Sequence, residues 1–454
     1  MGDLRRPRGT RDHTPEEMRG RRRLEDAIIE VARRYGFAEV RTPIFEHTEL
    51  FTAKSGDDIV AQLYAFEDKS GRSLTLRPEL TAPVMRMIAT GDLRERPRPV
   101  KVCYTGPCFR YEEAKTGRWR EFDQFGVEVI GASGSLVEAE VMACAISMLE
   151  ASGLEGWRFS IGHVGLLHAF LDAAQVPESF TVEQREATIK AGWTSKDHAG
   201  AEKDTPRTVL LRMLDKQQMQ GAAELMHLLG IKDSFITMLD ALDSNTSPED
   251  LENLGEHFGN LGVDTTPIDS LRVTLGHLSS SGAPMDCIDL NLTTARGLDY
   301  YTGCVFEARV ETLGGEGQVL GGGTYRLLHL FGLEELDPCC GFGYGTDRVL
   351  LALEHQGLST NTSEPRVALI PLNTQSNAVL PMVAALRGSG IAADIEMRQR
   401  NLSKSMKWAN NAGFTHAVVV GPKEIESGVL SVKDMMSGET SDLTLSDLIT
   451  QLLN

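Results

Sequence analysis

Three arginines lie far apart in this 454-residue sequence, and each stands beside a glycine or at a turn: Arg110, Arg296 and Arg348. A guanidinium group offers a planar fork of N–H donors that matches phosphate oxygens, so three such groups together would suit a triphosphate. Any one arginine of this kind is more often a surface ion-pair partner. Spacing along the sequence leaves open whether the three meet in the fold.

A second candidate site lies on a predicted strand. Its alternate residues Phe122, Gln124, Gly126 and Glu128 share one face, because successive side chains of a strand point to opposite sides. An aromatic ring, an amide and a carboxylate with a glycine between them would make a floor for a ligand. The alternative, favoured by the pattern alone, is the solvated side of a half-buried antiparallel sheet. Arg110, on the preceding strand, and the charged loop after it shift the balance toward a ligand site.

Two glycine-rich segments, 321–325 and 341–345, match neither the GxGxxG nor the GxxxxGK[ST] spacing. The sequence therefore predicts neither a dinucleotide-binding Rossmann unit nor a P-loop. The first segment is interpreted equally well as a flexible turn and as a binding element, since Tyr325 could project back toward Tyr301.

The elements that must position these residues begin with a helix. Thr14, Pro15 and Glu17 form the pattern of an N-cap with a capping box, and the helix is predicted to run toward Gly36. A strand then ends at Pro43. Further predicted elements are the two strands of a long hairpin and a helix: 100–104, 119–130 and 136–151.

Helical spacing dominates from residue 177 to residue 281, so this block is interpreted as an insertion into a core whose strands resume after it. A polar linker then precedes alternating strands and helices, which predict a small parallel sheet with helices on its faces. The predicted divisions are the first part of the core, the helical insertion, the second part of the core, the linker and a C-terminal domain: 1–176, 177–281, 282–356, 357–365 and 366–454.

Composition sets broad limits on function. A hydrophobic content of 41% suits several globular domains, and no apolar run approaches the roughly 20 residues that cross a bilayer, so we expect a cytoplasmic protein without membrane segments. The net charge of −18 argues against a nucleic-acid partner, but the segment from Arg366 onward is neutral, with eight basic and eight acidic residues. Within it, Arg398, Arg400, Lys404 and Lys407 form either a solvated helix face or an RNA-binding patch.

The cysteines give no sign of a metal site or of disulfide bonds. Their number is odd, seven, and no CxxC pair has a matching second pair. We therefore expect neither disulfides nor a structural zinc.

Three runs in one order along the chain carry a family resemblance: Thr75–Thr81, Arg296–Gly303 and Gly341–Arg348. They resemble the substrate pocket of histidyl-tRNA synthetases. The resemblance extends from Arg8 through the C-terminal domain, and positions such as Glu113 are similar to the archaeal branch. It implies an α+β class II synthetase core, an antiparallel sheet flanked by helices, with a helical insertion and a C-terminal α/β domain.

The resemblance also implies residue roles in ATP binding. Arg110 would bind the α-phosphate, Phe122 would stack on adenine, and Arg348 would hold the γ-phosphate, while Glu112 would lie near the exocyclic amine. The implied ATP site is Arg110, Glu112, Arg118, Phe122 and Arg348. Arg296 would approach the reacting carboxylate and the α-phosphate, so the implied catalytic residues are Arg110, Arg296 and Arg348.

The implied histidine site has two halves. Three residues would take the α-ammonium group of the substrate: Glu79, Thr81 and Gln124. Glu128 and Tyr301 would hydrogen-bond the two imidazole nitrogens, and Tyr325 would help to close the pocket.

Partners follow from the same resemblance. It implies histidine, ATP and histidine tRNA as substrates, Mg²⁺ as the accompanying ion, and a homodimer whose interface includes the segment ending at Pro43; no protein-bound zinc is expected, from the cysteine spacing. The insertion would embrace the acceptor arm of the tRNA, and the C-terminal domain would bind the anticodon. Lys404 and Lys407 are the predicted contacts to the tRNA backbone.

Two other functions stay open on the sequence. One is a histidine-binding regulatory subunit of ATP phosphoribosyltransferase, which resembles a synthetase but usually lacks an anticodon-binding domain. The other is a synthetase-like interaction domain with an inactive site, which would be expected to lose one of the three arginines. Histidine-tRNA ligase is preferred because both the C-terminal domain and all three arginines are present in this sequence.

Overall fold

The computed structural model describes residues 5–52, 61–91, 93–113, 117–194, 204–239, 242, 250–294, 301–358, 365–374 and 376–453. The chain divides into two compact units, Met1–Thr360 and Asn361–Asn454. In the described part of the chain, no helix is both long enough and apolar enough to cross a membrane.

The first unit contains eleven strands among its described residues: β1 Ala38–Glu39, β2 Phe45–His47, β3 Tyr64–Glu67, β4 Ser73–Leu76, β5 Val100–Phe109, β6 Glu121–Ile130, β7 Trp157–His163, β8 Ile288–Leu290, β9 Tyr301–Val310, β10 Gln318–Tyr325 and β11 Cys339–Gly345. The described α-helices of this unit are α1 Pro15–Arg34, α2 Glu49–Thr52, α3 Thr81–Thr90, α4 Ser135–Ala151, α5 Val164–Ala173, α6 Val182–Ala191, α7 Pro206–Asp215, α8 Met219–Leu228, α9 Asp233–Thr237, α10 Leu251–Asn260, α11 Thr266–Ser280 and α12 Thr346–His355. Short 3₁₀ helices cover Met285–Cys287, Glu311–Glu316, Leu328–Phe331 and Glu334–Leu336.

Eight strands form the main sheet in the order β1-β5-β6-β11-β10-β9-β7-β8. The six central strands are antiparallel, from β5 to β7 in that order, and β1 and β8 add parallel strands at the two edges. The predicted antiparallel core is therefore confirmed, with parallel edge strands that the sequence did not predict.

Helices α1, α4 and α12 pack together against one face of this sheet. Phe125 and Val127 of β6 and Phe342 of β11 share a buried core with Leu24 and Ile28 of α1, because every second residue of a strand points to the same side. The alternation predicted for β6 is thus observed. Its other face, with the candidate ligand floor, lies on the side away from this core.

The start of α1 follows the predicted pattern. The side chain of Thr14 accepts a hydrogen bond from the backbone N–H of Glu17, and the Glu17 carboxylate accepts one from the backbone N–H of Thr14. Two donors that a helix end would leave unpaired are satisfied in this way. The strand predicted to end at Pro43 is shorter than expected, because β1 contains only Ala38–Glu39.

Arg77 fixes the chain between the small antiparallel sheet β2-β4-β3 and the main sheet. It is 2% exposed and donates to the carbonyl oxygens of Pro107 at 2.8 Å, Thr42 at 2.9 Å and Pro43 at 3.2 Å. Burial lowers the pKa of Arg77. A buried cation is tolerated here because its N–H groups are met by carbonyl oxygens.

Between residues 182 and 280 the described part of the chain contains helices joined by turns and no strand. Leu210, Leu225 and Leu271 of this block belong to the same hydrophobic core as Phe159 and Phe306 of the main sheet. The predicted bounds of the insertion and of the other domains stay predictions.

The second unit contains β12 Arg366–Pro371, β13 Ala392–Ile395, β14 His416–Val420, β15 Val429–Asp434 and β16 Thr440–Thr444, with helices α13 Leu380–Gly388, α14 Leu402–Asn411, α15 Pro422–Ser427 and α16 Leu445–Leu453. Its sheet has the order β13-β12-β14-β15-β16. The first three strands are parallel, but β15 and β16 form an antiparallel hairpin. The predicted parallel arrangement of the first three strands is confirmed, whereas the hairpin of β15 and β16 was not predicted.

Candidate functional site

A cavity of about 650 Å³ opens on the face of the main sheet that bears the predicted ligand floor. Its walls bring together the predicted site residues of the described core from four separate stretches of sequence. They are Glu79, Thr81, Arg110, Glu112, Arg118, Phe122, Gln124, Glu128, Tyr301, Tyr325 and Arg348. Arg296 lies outside the described residues.

Glycines of β11 make room for the polar side chains of β6. Gly341 is paired with Glu128, and Gly345 with Gln124. A Cβ atom at Gly341 would overlap the Glu128 carboxylate, and one at Gly343 would overlap the Gln124 amide. The two side chains therefore lie flat across the neighbouring strand, which only glycine permits.

The glycine-rich run of β10 continues this surface. Gly321 and Gly323 pair with Gly343 and Gly341 of β11, so two adjacent strands present backbone instead of side chains to the cavity. The turn suggested for residues 321–325 is wrong, because the run is part of the eight-residue strand β10. A floor of this kind lets a flat ligand approach the backbone closely.

Glu128 lies at the closed end of the cavity and is 1% exposed. Its Oε1 accepts a hydrogen bond from the Tyr104 hydroxyl at 2.7 Å, and its Oε2 accepts one from the Tyr325 hydroxyl at 2.5 Å. Burial raises the pKa of Glu128 to about 7, although the two phenol donors oppose that rise. A buried carboxylate with such a pKa can present either a charge or a proton near neutral pH.

Glu79 precedes α3 and caps its first turn. Its carboxylate accepts hydrogen bonds from the backbone N–H of Thr81 at 2.6 Å and of Ala82 at 3.0 Å. A carboxylate at a helix N-terminus is stabilised by those donors. The negative charge is thus held at the cavity wall, where a ligand's ammonium group could meet it.

The Arg110 guanidinium lies over the Phe122 ring, 5.2 Å from its centroid. Its Nε donates to the carbonyl of Pro78 at 2.9 Å, which fixes the side chain by one edge. Its Nη1 is 3.8 Å from Oε1 of Glu112, and Arg118 approaches the other oxygen of the same carboxylate at 3.6 Å. These distances are too long for direct hydrogen bonds, so the two cations are loosely gathered around one acid.

Arg348 enters the cavity from the start of α12. Its Nη1 donates to the carbonyl of Gln318 at 2.8 Å. The neighbouring Asp347 is 7% exposed and binds Arg11 and Arg21 as well as the backbone N–H of Asp123. This network joins the N-terminal segment, α1 and β6 to the turn that carries Arg348.

Tyr301 begins β9 and lies opposite Tyr325 on the neighbouring strand β10. Their ring centroids are 6.3 Å apart with an interplanar angle of 82°, an edge-to-face arrangement that favours both rings. The predicted approach of these two tyrosines is therefore observed.

Several residues that line or support the cavity were not predicted as site residues. Glu307, Arg309 and Gln318 are part of its wall, and Tyr104 supports Glu128 from below. Tyr104 shares one face of β5 with Gly106 and Cys108. That pattern points to Glu128 only when the register of β5 against β6 is known.

Lys404 and Lys407 lie in the second unit, both exposed on α14. Of the other two residues in that predicted patch, Arg398 is exposed, whereas Arg400 forms a 2.5 Å ion pair with the buried Glu396. The patch thus contains fewer available cations than the sequence suggested.

No group of three or more His, Cys, Asp or Glu side chains within the described ranges is arranged to hold a metal ion. All seven cysteines fall within these ranges and are free thiols.

Two family models match the chain. The family model described as histidyl-tRNA synthetase matches residues 9–203 and 196–349, and that of the anticodon binding domain matches residues 366–454. The histidine–tRNA ligase of the archaeon Methanospirillum hungatei is 37% identical over 449 residues, which is 99% of each chain.

Solved structures give the same picture of the fold. A histidyl-tRNA synthetase from Nostoc sp. PCC 7120 superposes with a TM-score of 0.79 at 23% identity, over 99% of each chain. A protein from Bacillus halodurans C, titled both as an ATP phosphoribosyltransferase regulatory subunit and as a histidyl-tRNA synthetase, superposes with a TM-score of 0.72 at 25% identity, over 92% of this chain and 98% of that one.

Proposed function

The chain belongs to the histidyl-tRNA synthetase family, and from this membership and the pocket we infer that it is an ATP-dependent histidine–tRNA ligase. It activates histidine with ATP to histidyl-adenylate and transfers the histidyl group to the 3′ end of histidine tRNA. One observation carries the inference. A single cavity contains both a buried cluster of a carboxylate and phenols around Glu128 and a cationic region at Arg110 and Arg348.

Activation joins two anions that repel each other in water. The histidine carboxylate oxygen attacks the α-phosphorus, the new P–O bond forms, and the bond to the pyrophosphate oxygen breaks. No side-chain nucleophile is required. The contribution of the protein is alignment of the reactants and fixed positive charge near the reacting oxygens.

We assign that charge to three arginines. Arg110 binds the α-phosphate and Arg348 the γ-phosphate, while Arg296 approaches the reacting carboxylate. Phe122 lines the cavity beside the Arg110 guanidinium, which supports stacking of adenine on the Phe122 ring, with Arg348 on the opposite side of the base. Glu112, held near Arg110 and Arg118, is the acceptor for the exocyclic amine.

Histidine is selected by paired polar groups. Glu79, Thr81 and Gln124 take the α-ammonium, and Glu128 and Tyr301 take the two imidazole nitrogens. The burial of Glu128 supports this assignment, because an amino acid that cannot pair with a buried acid and a phenol leaves them unsatisfied and is rejected strongly.

The regulatory-subunit alternative is less supported. Residues 366–454 match an anticodon binding domain, which a histidine-binding regulatory subunit does not need. The described arginines of the predicted triphosphate site, Arg110 and Arg348, also line the cavity.

The remaining partners are proposed on family grounds and on surface character. ATP enters with Mg²⁺, the reaction takes place in the cytoplasm, and the exposed lysines of α14, Lys404 and Lys407, contact the tRNA backbone. A homodimer is supported by apolar side chains that stand out on the small sheet, where Phe45 and Phe66 are 52% and 44% exposed. Exposed apolar clusters of this kind mark protein contacts.

The test is histidine-dependent exchange of pyrophosphate into ATP, followed by acylation of total tRNA. We expect exchange with histidine and with no other amino acid, and acylation of histidine tRNA alone. Histidine binding without exchange in the presence of Mg²⁺ would support the regulatory alternative. Exchange without acylation would separate activation from transfer and contradict the ligase assignment.

A further inference from the structure

A buried phenol lies beneath the floor of the cavity. Tyr104 of β5 is 2% exposed, and its hydroxyl lies 2.7 Å from Oε1 of Glu128 and 3.3 Å from Oγ1 of Thr81. It is paired with Gly126 on β6, where a Cβ atom would stand 2.5 Å from the phenol oxygen. Gly126 therefore leaves the space through which this hydroxyl reaches Glu128.

We propose that Tyr104 is a positioning residue for histidine recognition, whose hydroxyl holds Glu128 as an anion that accepts an imidazole N–H. The same hydroxyl joins Glu128 to Thr81 at the start of α3, and so connects the imidazole half of the pocket with the α-ammonium half. This inference rests on the proposed function of the site.

Groups from four elements of the described chain act on the Glu128 carboxylate or lie against it. Tyr104 approaches from β5 and Tyr325 from β10, and both donate to it. From the start of α3, Thr81 favours its charged form, whereas the charge of Glu79 opposes it. From β11 the backbone of Gly341 covers it without a side chain.

The balance of these groups leaves Glu128 near its titration midpoint at neutral pH. Burial raises its pKa to about 7 and the phenol hydrogen bonds lower it. Burial and the charge of Glu128 raise the pKa of Tyr104 well above its ordinary value, so this phenol keeps its proton and acts only as a donor to the acid. Removing that donor must raise the pKa of Glu128 further.

Tyr104→Phe makes this change while keeping the ring that fills the space below Gly126. A smaller fraction of Glu128 is then ionised at pH 6.5, whereas most of it is ionised at pH 8.5. At each pH, KM for histidine in the variant is divided by KM in the unmodified chain. We expect KM to rise in the variant at pH 6.5, and we expect this ratio to be about tenfold larger at pH 6.5 than at pH 8.5. The protonation of free histidine affects KM of both proteins equally, so it does not change the ratio of their KM values at a given pH. We expect kcat and KM for ATP to stay within about twofold.

Tyr344→Phe is the matched control. Tyr344 is equally buried, but it lies on β11 opposite Phe125, in the core on the other face of the sheet. Loss of its hydroxyl is expected to leave KM for histidine unchanged at both pH values.

The measurement is pyrophosphate exchange at the two pH values, with thermal unfolding as a check of folding. A loss of equal size at both pH values would make Tyr104 a packing residue and overturn the proposal. A KM for histidine that falls in Tyr104→Phe at pH 8.5 would mean that Glu128 acts as a neutral donor, and a variant that does not fold would make the hydroxyl a structural group; both results also overturn it. Absence of histidine-dependent exchange in the unmodified chain would instead reject the proposed function.

Discussion

Gly341 lies directly opposite Glu128 on the neighbouring strand of the main sheet, and the Glu128 carboxylate occupies the space that a side chain at Gly341 would fill. The absence of a Cβ atom on one strand thus sets the position of an acid on the next. The carbonyl of Val127 closes the same space from the backbone side, so a side chain at position 341 has no room to turn away.

Gly341→Ala is therefore expected to displace the Glu128 carboxylate. KM for histidine should rise about 10- to 100-fold, since a hydrogen bond to a charged group contributes about 1.5–3 kcal/mol. Gly276→Ala is the control, because Gly276 lies in α11 with open space around the added methyl group. Pyrophosphate exchange at varied histidine concentration measures both, and an unchanged KM in Gly341→Ala would contradict the role given to Glu128.

Arg110→Gln is expected to impair the use of ATP. The guanidinium is fixed by Pro78 and lies over Phe122, so glutamine cannot replace its charge or its stacking. We expect kcat/KM for ATP to fall about 10²- to 10³-fold, as for the loss of one fixed group that stabilises a transition state, with KM for histidine changed only a few fold. Arg272→Gln removes an arginine that pairs on the surface with Asp269 and should have no effect. Equal losses for both substrates would argue for a structural role of Arg110.

Glu128→Gln is expected to change how stability depends on pH. Glu128 has a pKa of about 7 in the folded chain and an ordinary value near 4.5 when unfolded, so its contribution to stability is present below about pH 4.5 and is lost as the pH rises through 7. Glutamine does not titrate. The stability of the unmodified chain should thus fall relative to the variant by up to ~3 kcal/mol between pH 4.5 and pH 8. Thermal unfolding of both proteins at pH 5.5 and pH 8 tests this, and a difference independent of pH would refute it.

Glu138 of α4 ties three elements together in the core. The carboxylate is 4% exposed and accepts hydrogen bonds from the Cys304 backbone at 3.1 Å, the Thr324 hydroxyl at 2.6 Å and the Thr274 hydroxyl at 3.1 Å. It therefore links β9 and β10 to α11.

Glu138→Leu should remove the acceptor of the Cys304 backbone N–H and of the Thr324 hydroxyl, while the Thr274 hydroxyl keeps the Ser270 carbonyl at 3.0 Å. We expect it to destabilise the first unit by at least ~2 kcal/mol. Glu138→Gln should cost less than about 1 kcal/mol, because its amide can donate to the Thr274 hydroxyl while its oxygen still accepts from Thr324. Thermal unfolding midpoints compare the two variants. Similar losses for leucine and glutamine would show that charge, and not hydrogen bonding, is what the site requires.

The sequence predicted the parts of the site that depend on local periodicity. Alternation on β6 placed Phe122, Gln124 and Glu128 on one face, and the capping box placed the start of α1 at Pro15. The family resemblance brought together Arg110 and Arg348, which periodicity could not do.

Register between distant strands was not predictable. The purpose of Gly341 and Gly343 depends on their pairing with β6, and no local signal reports which residues of two remote strands lie opposite each other. Tyr104 was missed for the same reason. In the second unit, the hairpin of β15 and β16 was missed because strands that alternate with helices favour a parallel interpretation, whereas these two strands follow each other through the turn at Gly438.

Phe45→Asp is expected to convert a dimer into monomers. Phe45 lies on β2 of the small sheet with its ring 6.5 Å from that of Phe66, and both rings stand out from the first unit as half-exposed apolar surface. A charge at the centre of such a surface would have to be desolvated on association, which costs several kcal/mol.

Val182→Asp is the control, since Val182 is 72% exposed at the first position of α6, where an acid suits the helix. Sedimentation equilibrium should give the mass of a dimer for the unmodified chain and for Val182→Asp, and that of a monomer for Phe45→Asp. A dimer that persists in Phe45→Asp would place the interface on another surface.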